Sequence, residues 1–282
     1  MTSDRSQDGW RGMLGRRRGE RRTLTGHLAI NRWALPDTKG NYKMLGFNLA
    51  YPAGVAPGFD PAHPASNGIF FSGVATGKNF RNILTGGNSV NVGSPTAFNG
   101  AFGPMAASAN FTNAGNDFAY PSTVWNTQTL AAILVCDSVS LAAVRTILAT
   151  SETAGTGFRL TCSSAAVPIA TANSVAITPS LPAMIAGVPY FYAMSVKLGA
   201  TGTPWNAVLT NMGTGQVYNS TGTSTINPAG AAGPNFQING TASANTALFG
   251  KIAAAMHNTN IMSMADLLRW AQDPWSFWYP DR

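Results

Sequence analysis

The sequence predicts an all-β fold: an antiparallel two-sheet jelly-roll sandwich with an extended N-terminal arm and one short C-terminal helix. Three observations predict it. Short runs in which apolar residues alternate with polar ones recur from Leu28 to Met256, bounded by Gly, Pro and Asn. Thirty Gly and 17 Pro are spread over 282 residues without a fixed period, which indicates many turns between short strands. Helical spacing with a start and a stop signal occurs near the C-terminus, after the strand-like runs have ended.

Composition sets the kind of surface. Hydrophobic residues make up 45% of the chain and charged ones 10%, against a usual charged share of about 25%, so solubility rests on Ser, Thr, Asn and Gly. The net charge of +7 is unevenly placed. Residues 1–22 carry seven Arg against Asp4, Asp8 and Glu20, which leaves +4 in the first segment and +3 for the rest. Residues 1–23 therefore read as a basic extended arm and 24–282 as one large β domain. Within the arm, Arg16, Arg17, Arg18, Arg21 and Arg22 are the candidate partner-binding residues, suited to an acidic protein surface or to phosphate. No basic run with interleaved aromatics follows Arg22, so contact with nucleic acid is expected, if anywhere, only through the arm.

The first clear strand is Met44–Tyr51, where Leu45, Phe47, Leu49 and Tyr51 share one face before Pro52 and Gly54 turn the chain. Ile69–Val74, Phe80–Leu84, Ser89–Val92 and Ala97–Phe102 follow, separated by TGGN and GSP. Thr129–Cys136 is almost continuously apolar, which predicts a strand covered on both faces, and Phe158–Cys162 alternates as a one-sided strand should. These two are expected to be neighbours. Val188–Val196 places Tyr190, Tyr192, Met194 and Val196 on one face, with Pro189 at the strand's start. Ala207–Leu209, Gln216–Tyr218, Phe236–Ile238 and Leu248–Met256 complete the series.

The helix is predicted over Met264–Gln272. Ser263 is its N-cap, Asp266 the capping-box partner, and Met264, Leu267, Leu268 and Ala271 recur on one face before Pro274 ends it. Trp275, Phe277, Trp278 and Tyr279 come next. Rings that each carry about 150–250 Å² of surface are expected to dock on the sandwich.

Tests for chemistry narrow the function. Cys136 and Cys162 sit in apolar runs and read as buried free thiols, with no spacing that suggests zinc. A glycan hydrolase working through paired carboxylates needs two of them about 5–9.5 Å apart, and Asp117, Asp137, Glu152 and Asp266 are scattered. His27, His63 and His257 sit in unrelated contexts and no G-x-S-x-G elbow occurs. His63 reads as a loop residue and His257 as a strand-end histidine bonded to a turn. Asn113, Asn116 and Asp117 in NAGND could be a calcium cluster but read as an Asx-rich turn. GTGK at Gly77–Lys78 lacks the leading Gly and the Ser/Thr of a phosphate-binding loop. No catalytic residue, metal or cofactor is expected. Trp125 and Trp205, with Tyr190 and Tyr218, are the candidates for stacking on sugar rings. No run reaches the roughly 18 apolar residues of a membrane span, and no apolar h-region follows the basic N-terminus, so neither a membrane partner nor a secretory signal is expected.

Thr129–Ser138 (TLAAILVCDS), GTGFRLTCS, VPYFYAMSV, FQING with FGKI, and the ending MSMADLLRWAQDPWSFWYP together resemble the laminin-G-like or concanavalin-A-like lectin and glucanase superfamily, in the version found in tailed-bacteriophage virion proteins. The resemblance covers about Ser122–Pro280. The superfamily's glucan-cleaving members share an E-x-D-x-E strand that is absent here. The resemblance implies a virion protein, made in the host cytoplasm, and the missing carboxylates make a non-enzymatic structural role the expectation. A capsid decoration or head-fibre role is the first expectation, and a glycan-binding tail tip or spike the alternative. The partners expected are major capsid or tail proteins, further copies of the chain, and host polysaccharide.

Overall fold

The computed structural model describes residues 34–36, 42–44, 58–75, 80–87, 90–92, 96–98, 108–111, 117–121, 126–136, 144–150, 156–228, 235–239 and 250–278. Outside them lie the basic arm with Arg16, Arg17, Arg18, Arg21 and Arg22, most of the expected strand Met44–Tyr51, and Gly77–Lys78. Asn113, Asn116, Trp125 and Tyr279 also lie outside. The chain falls into two compact units, Met1–Phe47 and Asn48–Arg282. In the first, β1 (Ala34–Pro36) and β2 (Tyr42–Met44) pair antiparallel.

The second unit runs β3 (Ile69–Ala75), β4 (Phe80–Asn82), β5 (Val90–Val92), β6 (Thr96–Phe98), β7 (Ser108–Phe111), β8 (Asp117–Pro121), β9 (Thr129–Cys136), β10 (Arg145–Ala149) and β11 (Phe158–Cys162). It continues with β12 (Pro168–Ala172), β13 (Val175–Ile177), β14 (Pro189–Val196), β15 (Gly199–Asn211), β16 (Gln216–Ile226), β17 (Asn235–Ile238), β18 (Gly250–Asn258) and α1 (Met264–Gln272). Two antiparallel sheets result, one of seven strands ordered β13-β12-β11-β10-β17-β8-β5 and one of nine built on β16-β15-β14-β9-β18-β3-β4. In the latter β7 pairs with the first residues of β18 and β3 with the last, so the two share one edge of that strand.

Alternation along the strands explains how the sheets stack. In β9, Leu130, Ala132, Leu134 and Cys136 join one core with Phe158, Leu160 and Cys162 of β11 and Phe236 and Ile238 of β17. The residues between them, Ala131, Ile133 and Val135, join a second core on the opposite face. β14 divides in the same way, with Tyr190, Tyr192, Met194 and Val196 facing the first core and Phe191 and Ala193 the second. β9 is thus continuously apolar because both its faces are covered. β9 and β11 are not strand neighbours, contrary to the expectation. They lie in different sheets and face each other across the first core, which accounts equally well for two apolar inward faces.

β18 shows how a local irregularity sets the pattern. Ile252 faces the first core, Ala253 and Ala254 face the second, and Ala255 returns to the first. The phase slips where the register against β9 shifts between Ile252 and Ala254, as one extra residue in a bulge requires. Gly250 is needed here because a methyl at that position would run into the Val135 carbonyl.

The second core is closed by α1 and the residues after it. Ser263 caps the helix, its Oγ accepting from the Asp266 N–H at 3.2 Å and donating to the Asp266 carboxylate at 2.7 Å. The reciprocal bond of the capping box therefore reaches the cap hydroxyl. Leu267, Trp270 and Ala271 are buried on the nine-stranded sheet together with Trp275, Phe277 and Trp278. Trp270 donates to the Pro274 carbonyl at 3.1 Å, and Trp278 to the Ser72 hydroxyl of β3 at 3.1 Å. The docking expected for the terminal aromatics holds for Trp275, Phe277 and Trp278. Cys136 and Cys162 are buried, and no disulfide joins them.

Candidate functional site

His27 lies outside the described residues, and His63 and His257 are structural parts. His63 caps the short 3-10 turn Pro64–Ser66, its Nδ1 accepting from the Ala65 N–H at 3.1 Å, with its ring edge-on to Trp270 at 5.1 Å and Phe277 at 5.4 Å. Burial lowers its pKa to about 4, against smaller opposing effects of Asp60 and Asp266. His257 lies on β18, fully buried, between the rings of Phe70 at 5.3 Å and Phe236 at 5.1 Å. Its Nε2 is hydrogen-bonded to the Thr127 hydroxyl and its buried Nδ1 has no partner. Desolvation pushes it down to about 3, so the ring is neutral at pH 7. Next to it, Asn258 donates to the carbonyls of Ala65 and Asn67 at 2.7 and 2.9 Å and anchors the loop that precedes β3. Among the described residues no group of three or more His, Cys, Asp or Glu is placed to hold a metal.

The candidates for sugar stacking separate sharply. Trp205 of β15 is only 8% exposed and belongs to the first core. Its cross-strand partner on β16 is Gly222, and the indole lies over that glycine in the space a side chain would occupy. A ring folded over a facing glycine packs, and its face is not offered to a sugar. Tyr190 is 2% exposed. Tyr218 on β16 keeps 36% of its surface exposed. It is the one Trp or Tyr with a described side chain that combines a strand position with an open ring.

The strands around Tyr218 supply polar groups. Register places Tyr190, Asn211 and Gln216 in one row across β14, β15 and β16, and Tyr192, Leu209 and Tyr218 in the next. The Asn211 carboxamide oxygen accepts from the Gly213 and Thr214 N–H groups at 3.0 and 3.1 Å, which fixes the β15–β16 turn. Its Nδ2 donates to the Tyr190 hydroxyl at 3.3 Å, and the Ile185 N–H donates to the same oxygen at 3.1 Å. Both lone pairs of that hydroxyl are engaged while its own proton remains to be donated. Burial raises the Tyr190 pKa, so the proton stays on the oxygen at neutral pH. The Tyr190 hydroxyl is buried beneath this corner, so the exposed groups on β16 are the Tyr218 ring and Gln216.

Comparison with known proteins agrees with this architecture at the level of fold. No family model and no curated protein matches the chain. Among solved structures, Trypanosoma rangeli sialidase bound to 2,3-difluorosialic acid as a covalent intermediate is similar over 79% of this chain and 36% of its own, at 12% identity and a TM-score of 0.51. Domain 4 of AbnA, an extracellular GH43 arabinanase from Geobacillus stearothermophilus, in complex with arabinotriose, matches over 72% of this chain and all of its own, at 10% identity and 0.49. The enzymatically active domain of bacteriophage CBA120 tailspike protein 2 matches over 66% of this chain and 30% of its own, at 14% and 0.43. The chain spans about a third of the sialidase's length.

The likeness to the sialidase corrects the expectation of a protein without enzymatic activity. The sialidase of similar fold is a glycoside hydrolase, and the expectation rests on the absence of paired carboxylates. Sialidases do not follow that rule, since their nucleophile is a tyrosine. The absence of paired carboxylates therefore does not by itself exclude glycan hydrolysis.

Proposed function

We propose that this chain is a carbohydrate-recognising β-sandwich carried by a phage-like particle, with Tyr218 as its sugar platform. The observation that carries the reading is the open Tyr218 ring, with the exposed Gln216 two residues along the same strand, on a sandwich whose other described Trp and Tyr side chains are buried. Carbohydrate sites pair an aromatic or apolar surface with a few placed hydrogen-bonding groups. The likeness of the fold to sialidases supports the substrate class. The connectivity is read as a jelly roll of the concanavalin-A-like type, and particle association rests on the charge-poor composition and on the ending QDPWSFWYP.

The test is a glycan array probed with the full chain, followed by titration of the best ligand with reducing-sugar release measured in parallel. Binding of a bacterial surface polysaccharide supports the reading, and an array without a single ligand overturns it.

Attachment to the particle is proposed to run through the arm, because Arg16, Arg17, Arg18, Arg21 and Arg22 concentrate the cationic charge there. Deleting residues 1–23 is expected to abolish co-sedimentation with particles and leave the far-UV circular dichroism unchanged. Undiminished co-sedimentation would reject this role.

A further inference from the structure

The nine-stranded sheet ends on β16, an edge strand of eleven residues. Its outward N–H and C=O groups have no backbone partner among the described residues. Free edges template pairing with other chains, and natural proteins guard them with charge, proline or a bulge. β16 reads QVYNSTGTSTI and has no charged residue, no proline and, from Gln216 to Ser224, unbroken register against β15.

The neutrality extends well beyond the strand. Between Arg159 and Lys251, Lys197 is the one charged residue, whereas a surface facing water carries about 25–35% charged side chains. The connection from β13 to β14 runs beside this edge, where the Ser180 N–H donates to the Ser220 hydroxyl at 3.0 Å. It exposes Pro182, Ala183, Ala186 and Ile185, the last at 58%.

We propose that β16 pairs antiparallel with β16 of a second copy about a two-fold axis at Gly222, joining the two nine-stranded sheets into one. The strand is complementary to itself in that register. Thr221 meets Thr223 of the second copy and Asn219 meets its Thr225, all of them exposed in the single chain and able to form cross-strand hydrogen-bonded pairs. A second copy meets no like charge along the strand. A donor strand from a different protein would need side-chain pockets to be recognised, and the row of Thr, Asn and Gln offers none. Resting on the glycan reading, the pairing also sets two Tyr218 rings on one face. They are eight residues apart along the joined strands, about 27 Å at roughly 3.4 Å per residue, which suits one polysaccharide chain bound at two points.

Light scattering on the eluting full chain, without glycan, is expected to give twice the chain mass. The double variant Thr221→Lys with Thr223→Lys puts like charges opposite each other across the axis and should elute as a monomer with unchanged circular dichroism. In the wild-type chain, deuterium uptake at the 216–226 amides should fall as concentration rises through the micromolar range, a readout that needs no variant. A monomeric wild type, a double variant that stays dimeric, or 216–226 uptake independent of concentration would overturn the proposal. Because none of these uses a sugar, their outcome is separate from that of the glycan titration.

Discussion

Burial without an ionic partner makes His257 an acid-sensitive point. Its folded pKa of about 3 lies below the unfolded value of 6.5, so the fold prefers the neutral ring. The stability this group contributes is fully present above pH 6.5 and is lost as pH falls toward 3. Between pH 6.5 and about 3 each pH unit costs on the order of 1 kcal/mol from this one group. His63, lowered to about 4, acts in the same direction. Urea midpoints measured between pH 7 and pH 5 should fall, and His257→Gln should flatten the dependence. An unchanged slope in that variant would assign the acid sensitivity elsewhere. Trp275, 4% exposed within the second core, makes a complementary prediction. Trp275→Ala should cost about 3–5 kcal/mol in denaturant unfolding, and a loss below about 1 kcal/mol would mean that the ring is not part of the core.

At the level of elements, the sequence is most readable where one rule acts alone. Thr129–Cys136 and Phe158–Cys162 form strands with the expected bounds, and α1 spans the predicted Met264–Gln272. Ser263 is legible because a cap is a local interaction, and Ser263→Ala should cost about 1 kcal/mol with the fold otherwise intact; thermal unfolding measures it. Strands built from polar or small residues escape the same reading. The expected Ala207–Leu209 and Gln216–Tyr218 are the apolar parts of β15 and β16, whose remaining Thr, Ser, Gly and Asn carry no apolar alternation. β12 and β13 are joined at Asn173 and Ser174, both with positive φ, at 45° and 70°. That two-residue hairpin turn is normally marked by Asn-Gly, and here the second residue is Ser. Trp270 is not singled out in the sequence because a tryptophan on a short helix gives no sign of how many layers it will meet.

For the whole molecule, the sequence announces a third layer but not which aromatic ring stays open. The apolar run of β9 implies that both faces are covered, and the structure supplies the covers: the seven-stranded sheet on one side, α1 and the terminal aromatics on the other. Which aromatic remains open depends on cross-strand register. Trp205 faces Gly222 and sinks over it, while Tyr218 faces Leu209 and stays at the surface. Neither pairing can be derived from one strand's pattern. Carboxylate spacing is likewise no guide to whether the chain is active, because sialidase chemistry does not obey that rule.

Tyr218 is the residue on which carbohydrate recognition rests. Calorimetric titration of the array-selected polysaccharide into the wild-type chain and into Tyr218→Ala is predicted to show at least a tenfold weaker affinity for the variant, about 1.4 kcal/mol, at an unchanged melting temperature, and Tyr218→Trp should retain binding. Equal affinity of Tyr218→Ala and wild type would contradict it.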